Sequence, residues 1–166
     1  MSISQLVKGL GGSNIPSPLG IRTVRVGIGD LDAVDEVDLF TVIGGDILLT
    51  GLYGEVTEVI GAGATLLQLH HTPTVGGVQV DLCAEITAHI GADIVGTIYT
   101  ITGAHADDMV TDATREGVAA ASFETNFDIL VPGVITLDVT GALNTGTIRW
   151  TIHWVPLDTR SEVLVA

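Results

Sequence analysis

Five histidines, twenty carboxylates and a single cysteine are the groups in this 166-residue chain whose types could do chemistry. Their spacing decides which chemistry is open to them. His70 and His71 are adjacent, and on a strand they would leave opposite faces, so they could not easily grip one metal ion together. His89 with Asp93, and His105 with Asp107, offer two ligands each. No His-Glu-x-x-His or paired Cys-x-x-Cys motif accompanies them. Residues 30–38 hold five acids: Asp30, Asp32, Asp35, Glu36 and Asp38. Calcium favours several carboxylate oxygens, but Val34 and Asp35 fall where the calcium-loop pattern needs its third ligand and its glycine. A solvated acidic loop is the expectation there.

Nucleotide and hydrolytic chemistry fare no better. Gly61-Ala62-Gly63 lacks the third glycine of a dinucleotide loop and runs into the strand-like Thr65-Leu66-Leu67-Gln68-Leu69. There is no Gly-x-Ser-x-Gly elbow. Twenty acids could pair in space, yet a glycoside cleft normally recruits aromatic platforms and only 4 % of this chain is aromatic. Cys83 has no basic neighbour in sequence to lower its pKa, so it reads as a small buried hydrophobe, and alone it permits no internal disulfide. The sequence thus predicts a non-enzyme with no catalytic residues, no cofactor and no metal site.

The elements that position these groups are strands. Over residues 134–155, Ile135, Leu137 and Val139 alternate with Thr136, Asp138 and Thr140, and then Ile148, Trp150, Ile152 and Trp154 alternate with Thr147, Arg149, Thr151 and His153. This is period two, twice, with an aliphatic and indole face opposed to a polar one. Residues 141–146 supply glycines and an asparagine between the arms, which predicts a closing hairpin. His153 falls on the polar parity, so a surface or interface position is expected.

Earlier strands are expected at 21–26, 40–43, 47–60, 65–69, 95–101 and 127–131, with one more at 78–81 or 82–88 and a tail at 163–165 that could add to an edge. Gly51 and Gly54 should mark a bulge or a close backbone approach in a strand apolar on both faces. Residues 104–122 interrupt the rhythm, as a short helix or a long surface excursion. Short strands at roughly ten-residue spacing predict an all-β fold, an antiparallel β-sandwich of jelly-roll-like type.

Composition bounds the partners. Acids outnumber bases 20 to 6, and Arg22, Arg25, Arg115, Arg149 and Arg160 are scattered, so nucleic acid is not an expected partner. Apolar residues make up 46 % and charged ones only 16 %, but every apolar run is interrupted before the ~18 residues that a spanning helix needs. A membrane is therefore not expected to cover the chain, and burial between subunits is, which implies a homo-oligomer. Residues 1–8 lack the basic and apolar segments of a signal peptide, and the lone Cys83 fits cytoplasmic synthesis; residues 1–19 show no sustained period. They read as an extended N-terminal arm preceding one sandwich domain over 20–166. Ile3, Leu6, Val7 and Leu10 give the arm something to dock, and Arg22 and Arg25 offer bidentate contacts to a partner's acids. These six are the expected interface residues.

Four segments carry a resemblance: Phe40-Thr41-Val42-Ile43-Gly44-Gly45 to Leu52-Tyr53-Gly54-Glu55-Val56, Val80-Asp81-Leu82-Cys83-Ala84, residues 96–103, and Gly146-Thr147-Ile148-Arg149-Trp150 to Val155-Pro156-Leu157-Asp158. Over 40–158 the chain resembles the accessory capsid proteins of tailed bacteriophages, called decoration or cement proteins. The resemblance implies a β-rich and commonly trimeric virion protein. It would sit on the outer surface of the head and stabilise the capsid by bridging major capsid protein subunits. A tail, neck or fibre component, or a carbohydrate-binding sandwich, would share the composition.

Overall fold

The computed structural model describes residues 20–27, 31, 36–111 and 127–166. They fold as two antiparallel sheets packed face to face, an all-β sandwich as the alternation requires. Eleven strands run in chain order as β1 Ile21–Arg25, β2 Glu36–Ile43, β3 Ile47–Glu58, β4 Thr65–Pro73, β5 Val80–Asp81, β6 Ile98–Thr100, β7 Val110–Thr111, β8 Asp128–Leu130, β9 Gly133–Gly141, β10 Thr147–Pro156 and β11 Glu162–Val165. The first sheet has the order β1-β10-β3-β6-β7, with β8 also pairing β3, and the second has the order β11-β2-β9-β4-β5.

The pairings nest. β1 pairs with β10, β2 with β9, β3 with β6 and β4 with β5, each antiparallel. The first half of the chain therefore runs alongside the second half as one long ribbon that rolls up into two layers, which is the jelly-roll winding. That winding corrects the closing hairpin. β9 and β10 do not pair with each other; β9 lies between β2 and β4, and β10 lies between β1 and β3. Each arm has one aliphatic face, and placing the arms in opposite sheets buries both faces in a single core. Ile135, Leu137 and Val139 of β9 and Ile148, Trp150, Ile152 and Trp154 of β10 are all buried core residues. The connection between them is pinned by Asn144, whose Nδ2 donates to the Gly63 carbonyl at 3.1 Å and to Thr65 Oγ1 at 3.2 Å. Gly141 has φ 84°, and a Cβ there would sit 2.2 Å from the Ala64 carbonyl oxygen, so glycine is demanded where the chain leaves the sheet.

Gly54 has a different reason. A Cβ on it would lie 2.7 Å from Ile148 Cγ2 and 3.0 Å from two ring carbons of Trp150. The close neighbours are side chains, not the backbone that the sequence suggested. β3 is glycine here because the fully buried indole of its partner strand crosses that space. Gly51 does sit at an irregularity, where the pairing shifts between His153 and Trp154.

Other boundaries move. β2 starts at Glu36, so Glu36 and Asp38 belong to a strand and not to an acidic loop; Asp30, Asp32 and Asp35 lie outside the described residues. Of residues 78–88 only Val80–Asp81 is a strand, and of the interrupted segment Val110–Thr111 is a strand while 112–122 lie outside the described residues. The tail does add to an edge, β11 pairing with β2.

Candidate functional site

The expected interface residues Ile3, Leu6, Val7 and Leu10, and with them the arm, lie outside the described residues. Arg22 and Arg25 are both on β1 but do not form one patch. Arg22 is exposed and registers with His153 on the outer face of the first sheet, whereas Arg25 registers with Trp150 on the core-facing parity. An odd spacing on a strand sends them to opposite sides.

The outer face of the first sheet is built in cross-strand rows. Val24, Thr151, Tyr53, Thr100 and Val110 stand opposite one another in turn across β1, β10, β3, β6 and β7. His153 is buried, which corrects the surface position expected for it. Its ring stacks on Tyr53 with centroids 6.1 Å apart and planes at 20°. Burial, reinforced by the Arg22 charge, holds its pKa below the ordinary 6.5. Arg149 is ion-paired with Glu55 on the same face.

The outer face of the second sheet is acidic. Glu36 stands opposite Asp138, and Asp38 opposite Thr136, across β2 and β9; Asp138 and Thr136 in turn face Gln68 and His70 of β4, and His70 faces Asp81 of β5. His70 is buried and donates through Nδ1 to Asp81 Oδ1 at 3.0 Å, while its Nε2 lies 3.7 Å from Asp138 Oδ2. Glu36 Oε1 accepts from Gln79 Nε2 at 2.6 Å. Thr136 is only 4 % exposed, and its hydroxyl has no hydrogen-bond partner. His71 takes the opposite face from His70, as adjacency on a strand requires, and donates through Nε2 to the Val131 carbonyl at 3.1 Å. Its burial lowers its pKa.

A cleft of about 450 Å³ opens beside β7, lined by Glu85, Thr87, Thr102, Asp107, Asp108 and Val110 among others. Its carboxylates are engaged by hydroxyls of the chain itself. Asp108 Oδ2 accepts from Thr87 Oγ1 at 2.9 Å, Asp107 Oδ2 from Thr102 Oγ1 at 3.3 Å, and Glu85 Oε1 from Thr140 Oγ1. The Glu85 bond ties the loop after β5 to β9, the Asp108 bond ties that loop to the one after β6, and the Asp107 bond closes within the latter loop. His105 Nε2 reaches Asp128 Oδ1 at 3.0 Å.

Three of the aromatic side chains that a sugar platform could use lie in the core, whereas Tyr53 is half-buried and Phe127 exposed. Trp150 and Tyr99 are fully buried and Trp154 nearly so. The Tyr99 hydroxyl donates to Asp93 Oδ2 at 2.6 Å, and burial plus that carboxylate push the phenol far above its ordinary range. Asp93 itself is raised by burial, against the opposing pull of the Tyr99 bond and the charge of His89. Cys83 is buried, and desolvation pushes its thiol up to about 11. Among the described residues no three His, Cys, Asp or Glu side chains converge to hold a metal ion.

The acidic face was half legible in the sequence: Asp138 was on the polar parity of its strand, but only the β2–β9 register brings Glu36 and Asp38 beside it. No protein-family model, curated protein or solved structure matches this chain.

Proposed function

We propose that this chain is a structural protein of a tailed-phage virion, without catalytic activity. It is made in the host cytoplasm and assembles as a homo-oligomer, a trimer by preference, on the outer surface of the head, where it stabilises the shell by bridging major capsid protein subunits. The observation that carries the reading is a row of apolar side chains at one end of the sandwich, exposed at Val155, Ile129 and Val131 and half-buried at Leu48. Val155, Leu48 and Ile129 stand in register on one row of the first sheet. Ile129 leads through Leu130 to Val131, and the Thr74 amide bonds the Pro132 carbonyl at 2.9 Å, which brings Val75, 89 % exposed, to the same end. Scattered apolar residues are ordinary on a monomer, whereas a connected band at one end marks an interaction surface. The jelly-roll winding agrees by analogy, since viral coat domains use it, as lectins and cupins also do.

Bridging a shell stabilises it by mass action, because a protein that binds only the assembled state raises the free energy of opening it. Many copies make weak contacts collectively strong. The test is the copy number of the chain in purified particles, measured by quantitative mass spectrometry against the major capsid protein. Hundreds of copies per particle are expected. A handful would assign the chain to the tail, neck or fibre, and none would overturn the reading.

A further inference from the structure

The β4–β5 connection is an apolar finger that its own chain does not bury. Val75 is 89 % exposed and Val78 72 %, although the root of the finger is held from three sides. The Thr74 amide donates to the Pro132 carbonyl at 2.9 Å, His71 Nε2 to the Val131 carbonyl at 3.1 Å, and His70 Nδ1 to Asp81 Oδ1 at 3.0 Å. Gly76 and Gly77 form the tip, with φ 95° and 60°. A Cβ on either would meet no atom within 4 Å, so the bare backbone leaves room that this chain does not fill and that another backbone can approach closely.

Charge decides what fills it. No Asp, Glu, Lys or Arg occurs from Val59 to Val80, whereas the exposed Ile94 and Val95 follow Asp93, and Leu164 and Val165 lie beside Glu162 on their strand. The outer face of the second sheet carries Asp38, Asp81 and Asp138. On a chain of net charge −14, copies that met through those surfaces would set carboxylate against carboxylate inside the ~8 Å screening length of physiological salt. The tip reaches on the order of 7 Å past Pro73, two residues of strand rise per arm. Copies that meet at their tips therefore hold their acidic faces at about a screening length or more. A basic partner would instead be drawn to the acidic faces.

We infer that residues 75–78 are the element through which copies of this chain associate, the tips of neighbouring copies packing on one another about the symmetry axis with Val75 and Val78 as the anchors. Valine is stiff at χ1, so burying it at a contact forfeits little side-chain freedom. The inference rests on the homo-oligomer of the reading above and names its contact. Copies per particle are counted independently of it, so failure here leaves the copy-number test standing.

The experiment compares the full chain with a Val75→Asp/Val78→Asp variant and with Ile94→Asp/Val95→Asp, which adds the same two charges elsewhere, by sedimentation velocity at micromolar concentration. The tip variant should keep the parent's circular dichroism but sediment as the 17.2 kDa monomer, with self-association weakened at least ~100-fold, while the control keeps the parent's mass. Val75→Cys should form disulfide-linked dimers under copper-phenanthroline oxidation, and Val95→Cys should not; the native Cys83 is buried. A monomeric parent, a tip variant with the parent's mass, equal dissociation of both variants, or no cross-link through Val75→Cys overturns the inference. If the tip variant keeps its mass but is lost from particles, the occupant is a shell subunit and the assignment to a second copy is wrong.

Discussion

Replacing Gly54 by alanine isolates one packing decision in the core. The new methyl would stand 2.7 Å from Ile148 Cγ2 and 3.0 Å from Trp150 Cζ3 and Cη2, in a place where both neighbours are fully buried and cannot swing aside. Forcing a methyl into a packed core costs about 1–3 kcal/mol. Alanine also restricts the unfolded chain, which returns roughly 0.5–1 kcal/mol. An approach of 2.7 Å is closer than real Cβ contacts, so the upper part of that range, about 2–3 kcal/mol, applies and the net loss is about 1–2.5 kcal/mol, a fall in Tm of about 2–10 °C for a domain of this size. Urea unfolding followed by tryptophan emission measures it. Repeating the change in a Trp150→Phe background, where Trp154 still reports, should shrink the alanine penalty by at least ~0.5 kcal/mol, because the ring atoms in the way are gone. An alanine variant as stable as the parent, or a penalty indifferent to the indole, would refute the assignment of Gly54 to the Trp150 contact.

The ionisable groups give three further expectations. Asp93 is raised above its ordinary 3.8 by burial, so the fold holds its proton more tightly than the unfolded chain does, and stability falls as pH rises from 3.8 through the folded value. Asp93→Asn should flatten that part of the stability profile, and an unchanged slope would contradict the cause given. His71 and His153 are both held below 6.5; the stability tied to their neutral forms is complete above 6.5 and is lost as pH falls below it. A His71→Gln/His153→Gln pair should show a shallower fall in Tm from pH 7 to pH 5 than the parent. Cys83, with its thiol near 11, has a thiolate fraction of about one in a thousand at pH 8. It should ignore Ellman's reagent in the native protein and react at once in urea, whereas prompt native labelling would contradict its burial.

Alternation of residue types revealed which segments are strands and which side chains of β9 and β10 enter the core, because period two is local. Pairing is not local. The glycines and Asn144 between β9 and β10 fit a tight hairpin as well as they fit a crossing between sheets. Only the competition of β2 and β4 for β9, and of β1 and β3 for β10, decides against the hairpin. The acidic face was hidden for the same reason, since Glu36 and Asp138 are about a hundred residues apart in sequence and become neighbours through register alone. His153 obeyed its parity, yet it is buried because Tyr53 stacks over it from the next strand. Gly54 looked like a bulge because the sequence does not show which partner residue lies opposite, and here that residue is Trp150.

Under the proposed function, copies of this chain cover one another's apolar surface. Sedimentation velocity of the purified protein at micromolar concentration tests it most directly. A single species with the mass of a trimer of the 17.2 kDa chain is expected, and a monodisperse monomer that persists as concentration rises would contradict the account.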